Sequence, residues 1–217
     1  MRLRKIPGAD ERIDRSASVV HTPEAFIGGW ADEVFRNSHP VEVEIGCGKG
    51  MFLMEMARRH PDVNYIGIEK FSSVLVRAVE KADLTPLPNL RFLRYDAADI
   101  LNIFTPDEIA GIYLNFSDPW PKARHAKKRL THREFLAKYK TILAPGGLLI
   151  QKTDNEGLFD FSLEELRECG WEILSETRDL HRSPMKEGNV MTEFERKFTT
   201  LGKPVFQLVA KPSPHVV

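Results

Sequence analysis

The segment Glu44-Ile45-Gly46-Cys47-Gly48-Lys49-Gly50 concentrates residues with chemical potential in seven positions. Gly46 and Gly48 let a backbone turn sharply and approach a ligand without a Cβ clash. The spacing is Gly-x-Gly-x-Gly, not the Gly-x-Gly-x-x-Gly of dinucleotide binders. Dinucleotide sites set a pyrophosphate on a helix N-terminus. An acid just ahead of the first glycine suits a ligand end that carries an ammonium, and Glu44 stands there. Glu69 lies 23 residues after Gly46, where a carboxylate can accept from both hydroxyls of a ribose. Asp96 closes the next strand-like run, within reach of an adenine's exocyclic amine. A strand-end acid is often only a turn former or a cap. Three at successive strand ends, beside the glycines, point to S-adenosylmethionine over a nicotinamide cofactor. Cys47 reads as a small filler rather than a nucleophile.

A second constellation is Asn115-Phe116-Ser117-Asp118-Pro119-Trp120-Pro121-Lys122. Its two prolines fix φ and stiffen a loop that can hold Asp118 against a donor and an acceptor, with Trp120 packed beside the site or under a base. Residues 121–133 then carry Lys122, Arg124, Lys127, Lys128, Arg129 and Arg133 without one acid. Such a run is either a solvated surface or a phosphate grip that reads no sequence. Asp154 and Thr192-Glu193-Phe194-Glu195 are further candidates, the latter also readable as an ordinary capping segment.

These residues need a frame. From about residue 40 strand-like and helix-like stretches alternate. Strands are expected over 41–46, 63–69, 89–96, 109–115 and, after a Pro145-Gly146-Gly147 turn, 148–153. A final pair, 171–180 and 203–211, flanks a long loop. Helices are expected over 49–60, 71–84, 131–143 and 155–170, with Thr131 as N-cap and Glu134 completing a capping box. This β–α alternation predicts an α/β, Rossmann-like, doubly wound and mostly parallel seven-stranded sheet with an antiparallel last strand. Ligands in such sheets bind beyond the strands' carboxyl ends. Residues 1–40 are expected to form an N-terminal arm, mobile over 1–15, and a helix interrupted at Gly28-Gly29. The domain proper is expected over 41–217.

Composition narrows the classes. A chain of 217 residues with 42% hydrophobic and 29% charged residues suits one globular domain. No apolar run approaches a membrane span, and the N-terminus lacks the apolar stretch of a signal peptide. Two distant cysteines fit a reducing compartment, and seven histidines without ligand spacing give no metal site. The net charge of +0 leaves nucleic-acid binding to the distribution of charge.

The segments 44–50, Gly67-Ile68-Glu69-Lys70, 115–122, Thr153-Asp154-Asn155 and Thr192-Glu193-Phe194-Glu195 together resemble the bacterial tRNA (guanine-N7-)-methyltransferase family, over about residues 40–210. The resemblance implies a class I, S-adenosylmethionine-dependent enzyme of the cytoplasm, a monomer or homodimer, that methylates a guanine of the tRNA variable loop. It implies cofactor contacts by Glu44, Gly46, Gly48, Glu69, Asp96 and Asp118, with Asp118 also catalytic. Lys122, Asp154, Thr192, Glu193, Phe194 and Glu195 would meet the acceptor nucleoside. Arg124, His125, Ala126, Lys127, Lys128 and Arg129 would meet RNA, with the basic arm at Arg2, Arg4 and Lys5 as the next candidate. Acids facing a base suit guanine, whose N1–H and N2 amine are donors. Guanine N7 carries a lone pair and no proton, so transfer needs positioning and electrostatics rather than a base. A methyltransferase for an exocyclic amine and a binding module that only holds RNA are the alternatives.

Overall fold

A computed structural model describes residues 5–213 of the chain. Among the described residues seven strands, Val41–Ile45 (β1), Asn64–Glu69 (β2), Leu90–Arg94 (β3), Ile109–Asn115 (β4), Leu143–Thr153 (β5), Trp171–Thr177 (β6) and Phe206–Pro212 (β7), form one sheet in the order β3-β2-β1-β4-β5-β7-β6. The chain falls into two compact units, Met1–Thr105 and Pro106–Val217.

The first unit carries β1 (Val41–Ile45), β2 (Asn64–Glu69) and β3 (Leu90–Arg94), paired in parallel. Every residue of β2 is buried, the pattern of a parallel strand covered on both faces. Between the strands run α2 (Met51–Arg59) and α3 (Ser72–Leu84). α3 buries Leu75, Val76, Ala78, Val79 and Ala82 along one stripe. Gly67 is required by close packing: a Cβ there would lie 2.7 Å from Phe92 and 2.9 Å from both Cys47 Sγ and Leu53.

Ahead of β1, residues 9–15 are not a mobile arm. They form α1 (Ala9–Arg15), whose Ile13 is fully buried, and burial of that side chain is what orders the segment. Arg12 pairs with Glu80 at 3.1 Å and Arg94 with Asp10 at 2.7 Å. The Phe92 amide donates to Ser18 at 2.8 Å and the Val20 amide donates to Phe92 at 3.0 Å, which covers the outer edge of β3. Short helical turns over Pro23–Phe26 and Trp30–Phe35 flank Gly28-Gly29. Buried Trp30 donates its indole N–H to the Ile103 carbonyl at 2.7 Å. Arg2 and Arg4 lie outside the described residues.

In the second unit β4 (Ile109–Asn115) pairs in parallel with β5 (Leu143–Thr153). β7 (Phe206–Pro212) runs antiparallel to β5 and to β6 (Trp171–Thr177). The sheet is therefore mostly parallel with an antiparallel last strand, as expected from the sequence. α4 (Arg133–Ile142) and α5 (Glu156–Glu168) connect the strands.

Three local expectations are corrected. Pro145-Gly146-Gly147 lies within β5, where the register with β4 shifts between Ile109 and Gly111, so the glycines form an irregularity rather than a turn between elements. The N-cap of α4 is His132, whose Nδ1 accepts from the Glu134 amide at 3.3 Å. Thr131 is buried and hydrogen-bonds Ser162 at 2.8 Å instead. The long loop after β6 contains a helix, α6 (Glu193–Thr200). It is short, with only Phe194, Phe198 and Leu201 at helical spacing, too few apolar positions to mark a helix among the polar residues of the loop.

Candidate active site

In the first unit the turn after β1 is held chiefly by backbone hydrogen bonds, with Lys81 Nζ also donating to the Lys49 carbonyl at 3.3 Å. The amides of Gly46 and Cys47 donate to the Ile68 carbonyl at 2.8 and 3.1 Å. Gly46 and Gly48 sit at φ 76° and 59°, a region that costs glycine nothing. A Cβ built on Gly46 would meet no atom within 4 Å, and one on Gly48 only the Gly46 carbonyl at 4.0 Å. The turn is a cradle open on the side a ligand would use.

Glu44 is opposite Gly67 in the β1–β2 register and only 3% exposed. Glu69 ends β2, is buried, and accepts from the Phe71 amide at 2.9 Å. Burial drives the Cys47 thiol well above its usual range, and the charges of Glu44 and Glu69 push it further. Those two carboxylates thus flank the glycine turn, and Cys47 is held as an inert thiol. Asp96 accepts from the Ala98 amide at 3.0 Å as the cap of the Ala97–Asn102 turn, and pairs with Lys70. Two buried carboxylates beside an open glycine turn fit a ligand with an ammonium and a ribose, and Asp96 is the more exposed third acid.

In the second unit β4 delivers its last residue, Asn115, into a loop with unusual backbone. Phe116 has φ 51° and Trp120 φ 42°. For bulky side chains these left-handed values cost about 1–3 kcal/mol each and persist only where surroundings enforce them. Phe116 is held by its amide on the Lys152 carbonyl at 2.8 Å and by stacking on Phe194 and Phe198. Trp120 is met edge-on by His125 and by the Lys128 ammonium, 4.7 Å from its ring centroid. Asp118 and Lys122 are exposed on this loop, and Asp154 is exposed just past β5.

The segment Thr192–Glu195 divides in two. Thr192 and Glu195 form a capping box that starts α6, with the Glu195 amide donating to Thr192 Oγ1 at 2.9 Å. Glu195 is 0% exposed. Its carboxylate accepts from Lys152 Nζ at 3.0 Å and Asn189 Nδ2 at 2.5 Å, and His181 Nε2 lies 3.2 Å away. Glu193 and Phe194 face outward, Phe194 with 58% of its surface exposed.

The basic run also divides. Arg124 is exposed in the Ala123–Lys128 turn, with His125 and Ala126 partly covered. Lys127 pairs with Glu134 at 2.9 Å at the surface. The Arg129 guanidinium is directed inward, to the carbonyls of Pro119 and Trp120. Arg133 binds Glu165 at 2.6 Å and Glu168 at 2.7 Å. Burial alone would raise the Glu165 carboxyl, but hydrogen bonds and charge from Arg133 outweigh it and hold the group below its usual range.

Sequence reasoning misses Lys152, Asn189 and His181 as partners of Glu195, and the inward role of Arg129. Lys152 leaves one trace: it is the single charged residue of β5.

The fold is that of a methyltransferase. The model of a family described as "Putative methyltransferase" matches residues 38–208. The tRNA (guanine-N(7)-)-methyltransferase of Lachnoclostridium phytofermentans is 53% identical over 210 residues, spanning 97% of this chain and 98% of that protein. The protein of the same name from Bacillus subtilis is 45% identical, over 95% of this chain and 97% of its own. This chain belongs to the tRNA (guanine-N(7)-)-methyltransferase family. Among solved structures, the 16S rRNA methyltransferase KamB is similar in fold, with a TM-score of 0.65 at 16% identity over 86% of this chain and 94% of that one. Among the described residues no helix is long and apolar enough to cross a membrane.

Proposed function

We propose that this chain transfers the methyl group of S-adenosylmethionine to N7 of a guanine in tRNA. The observation that carries the reading is the open glycine cradle at Gly46 and Gly48 with buried Glu44 and Glu69 beside it. The names of the relatives support the choice of acceptor. In this reading Glu44 takes the cofactor's ammonium, Glu69 its ribose hydroxyls and Asp96 the adenine amine. The bound cofactor supplies an electrophilic methyl group. Guanine N7 carries no proton, so the chain's own residues orient groups and balance charge. Asp118 is the catalytic carboxylate, offsetting the positive charge that grows on the base. Asp154 and Glu193 accept from the guanine N1–H and N2 amine, Lys122 contacts the nucleoside, and Phe194 offers a face for stacking. Thr192 and Glu195 serve the same region by fixing α6. Arg124, Lys127 and Lys128 contact phosphate.

The test is transfer of a labelled methyl group to unmodified bulk tRNA, followed by digestion and identification of the nucleoside. The expected product is N7-methylguanosine. Label on an exocyclic amine would replace this reading with that of an amine methyltransferase, and no transfer would remove it.

A further inference from the structure

We propose that Arg129 is a positioning residue for the Asp118 loop and not one of the groups that grips RNA. The proposal rests on the reading of Asp118 as the catalytic carboxylate, but its geometry stands apart from that reading. Arg129 Nε donates to the Pro119 carbonyl at 3.1 Å and to the Trp120 carbonyl at 3.4 Å, and a terminal nitrogen donates to the Trp120 carbonyl at 3.1 Å. The guanidinium also lies 4.3 Å from the centroid of the Phe161 ring, on α5. One planar group is thus anchored on a helix and forks onto two successive carbonyls of the loop.

The loop needs such a donor. Pro119 and Pro121 bring no N–H, so the segment cannot bond itself as an ordinary turn would. Pro121 also disfavours the right-handed helical region for the residue before it, and Trp120 sits at φ 42°. A conformation of this kind holds only where neighbours over-determine it. The fork from Arg129 grips the peptide groups on either side of the Trp120 Cα, two residues after Asp118. Lys128 and Lys127 differ in kind: their ammonium groups lie over a ring face and beside a surface acid. Lysine is a poor substitute for Arg129: an ammonium can serve two carbonyls, as Lys140 does with those of Cys169 and Gly170, but it cannot lie flat on Phe161 and hold both loop carbonyls from one rigid plane.

Arg129→Met and Arg129→Lys separate the two roles, each compared with wild type. Hydrogen exchange of the Phe116 and His125 amides, each hydrogen-bonded at one end of the loop, should speed up in both variants, in protein free of ligands. Single-turnover methyl transfer should fall by about 10²-fold in both, the size expected when a reacting group is displaced by about 1 Å. The tRNA Kd should stay within about threefold, with an unchanged salt slope. Phe161→Leu, which keeps the charge and removes the stacking plane, should move exchange and rate in the same direction. A phosphate contact predicts the opposite set: Arg129→Lys active, Arg129→Met weaker in tRNA binding with the slope reduced by about 0.7–0.9, and loop exchange unaltered. That set would overturn the proposal. If wild type transfers no methyl group, the functional reading fails, and loop exchange still decides the role of Arg129.

Discussion

The glycine turn after β1 and the loop after β4 reach a defined shape by opposite means. At the first, left-handed backbone falls on Gly46 and Gly48, where it costs nothing, and two hydrogen bonds to one carbonyl complete it. At the second, left-handed backbone falls on Phe116 and Trp120, and side chains far along the sequence enforce it. The first is a cradle shaped by bonds within its own turn and to the neighbouring strand. The second depends on a network through Lys152, Glu195, Arg129 and the aromatic stack. Substitutions far from any ligand should therefore disturb the second edge and spare the first.

The largest expected effect is that of Lys152→Met. It leaves Glu195 buried as an unmatched charge, and breaking such a pair costs about 3–5 kcal/mol. Urea unfolding should show a lowered midpoint, and Lys152→Met combined with Glu195→Leu should recover much of the loss. A single variant as stable as wild type would mean the network does not hold the second edge. Next is Asp118→Ala, expected to slow single-turnover transfer by about 10²–10³-fold while leaving stability and tRNA affinity near wild type. Near-normal turnover would end the catalytic assignment.

A smaller effect is expected from Arg124→Ala, Lys127→Ala and Lys128→Ala together. If most of them touch phosphate, the slope of log K against log salt for tRNA should flatten by roughly two. Filter binding across a salt series reads this directly. An unchanged slope would show that RNA is gripped elsewhere.

The same contrast explains what is legible in the sequence. The first edge is encoded by residue type at short spacing, so Glu44, Gly46, Gly48 and Glu69 stand out from residue type and position alone, and parallel strands follow from the β–α alternation. Asp118, Pro119 and Trp120 are visible as a stiff loop, but the left-handed backbone at Phe116 and Trp120 is not. Its causes lie in partners such as Lys152 and Arg129 that only folding brings near. Thr192 and Glu195 read equally as acceptor contacts or as a cap, and the buried ion pair that also holds Glu195 involves a lysine 43 residues away. Helix α6 escapes because its eight residues hold only Phe194 and Phe198 at helical spacing, too short a pattern to mark a helix.

The most direct test of the account is calorimetric titration of S-adenosylhomocysteine into Glu69→Ala and into the Arg124/Lys127/Lys128 triple variant. The account predicts a loss of about 1.5–3 kcal/mol in the first, from charge-assisted hydrogen bonds to the ribose, and wild-type affinity in the second. Unchanged affinity in folded Glu69→Ala, or an equal loss in both variants, would contradict the assignment of the cofactor to the glycine-turn edge.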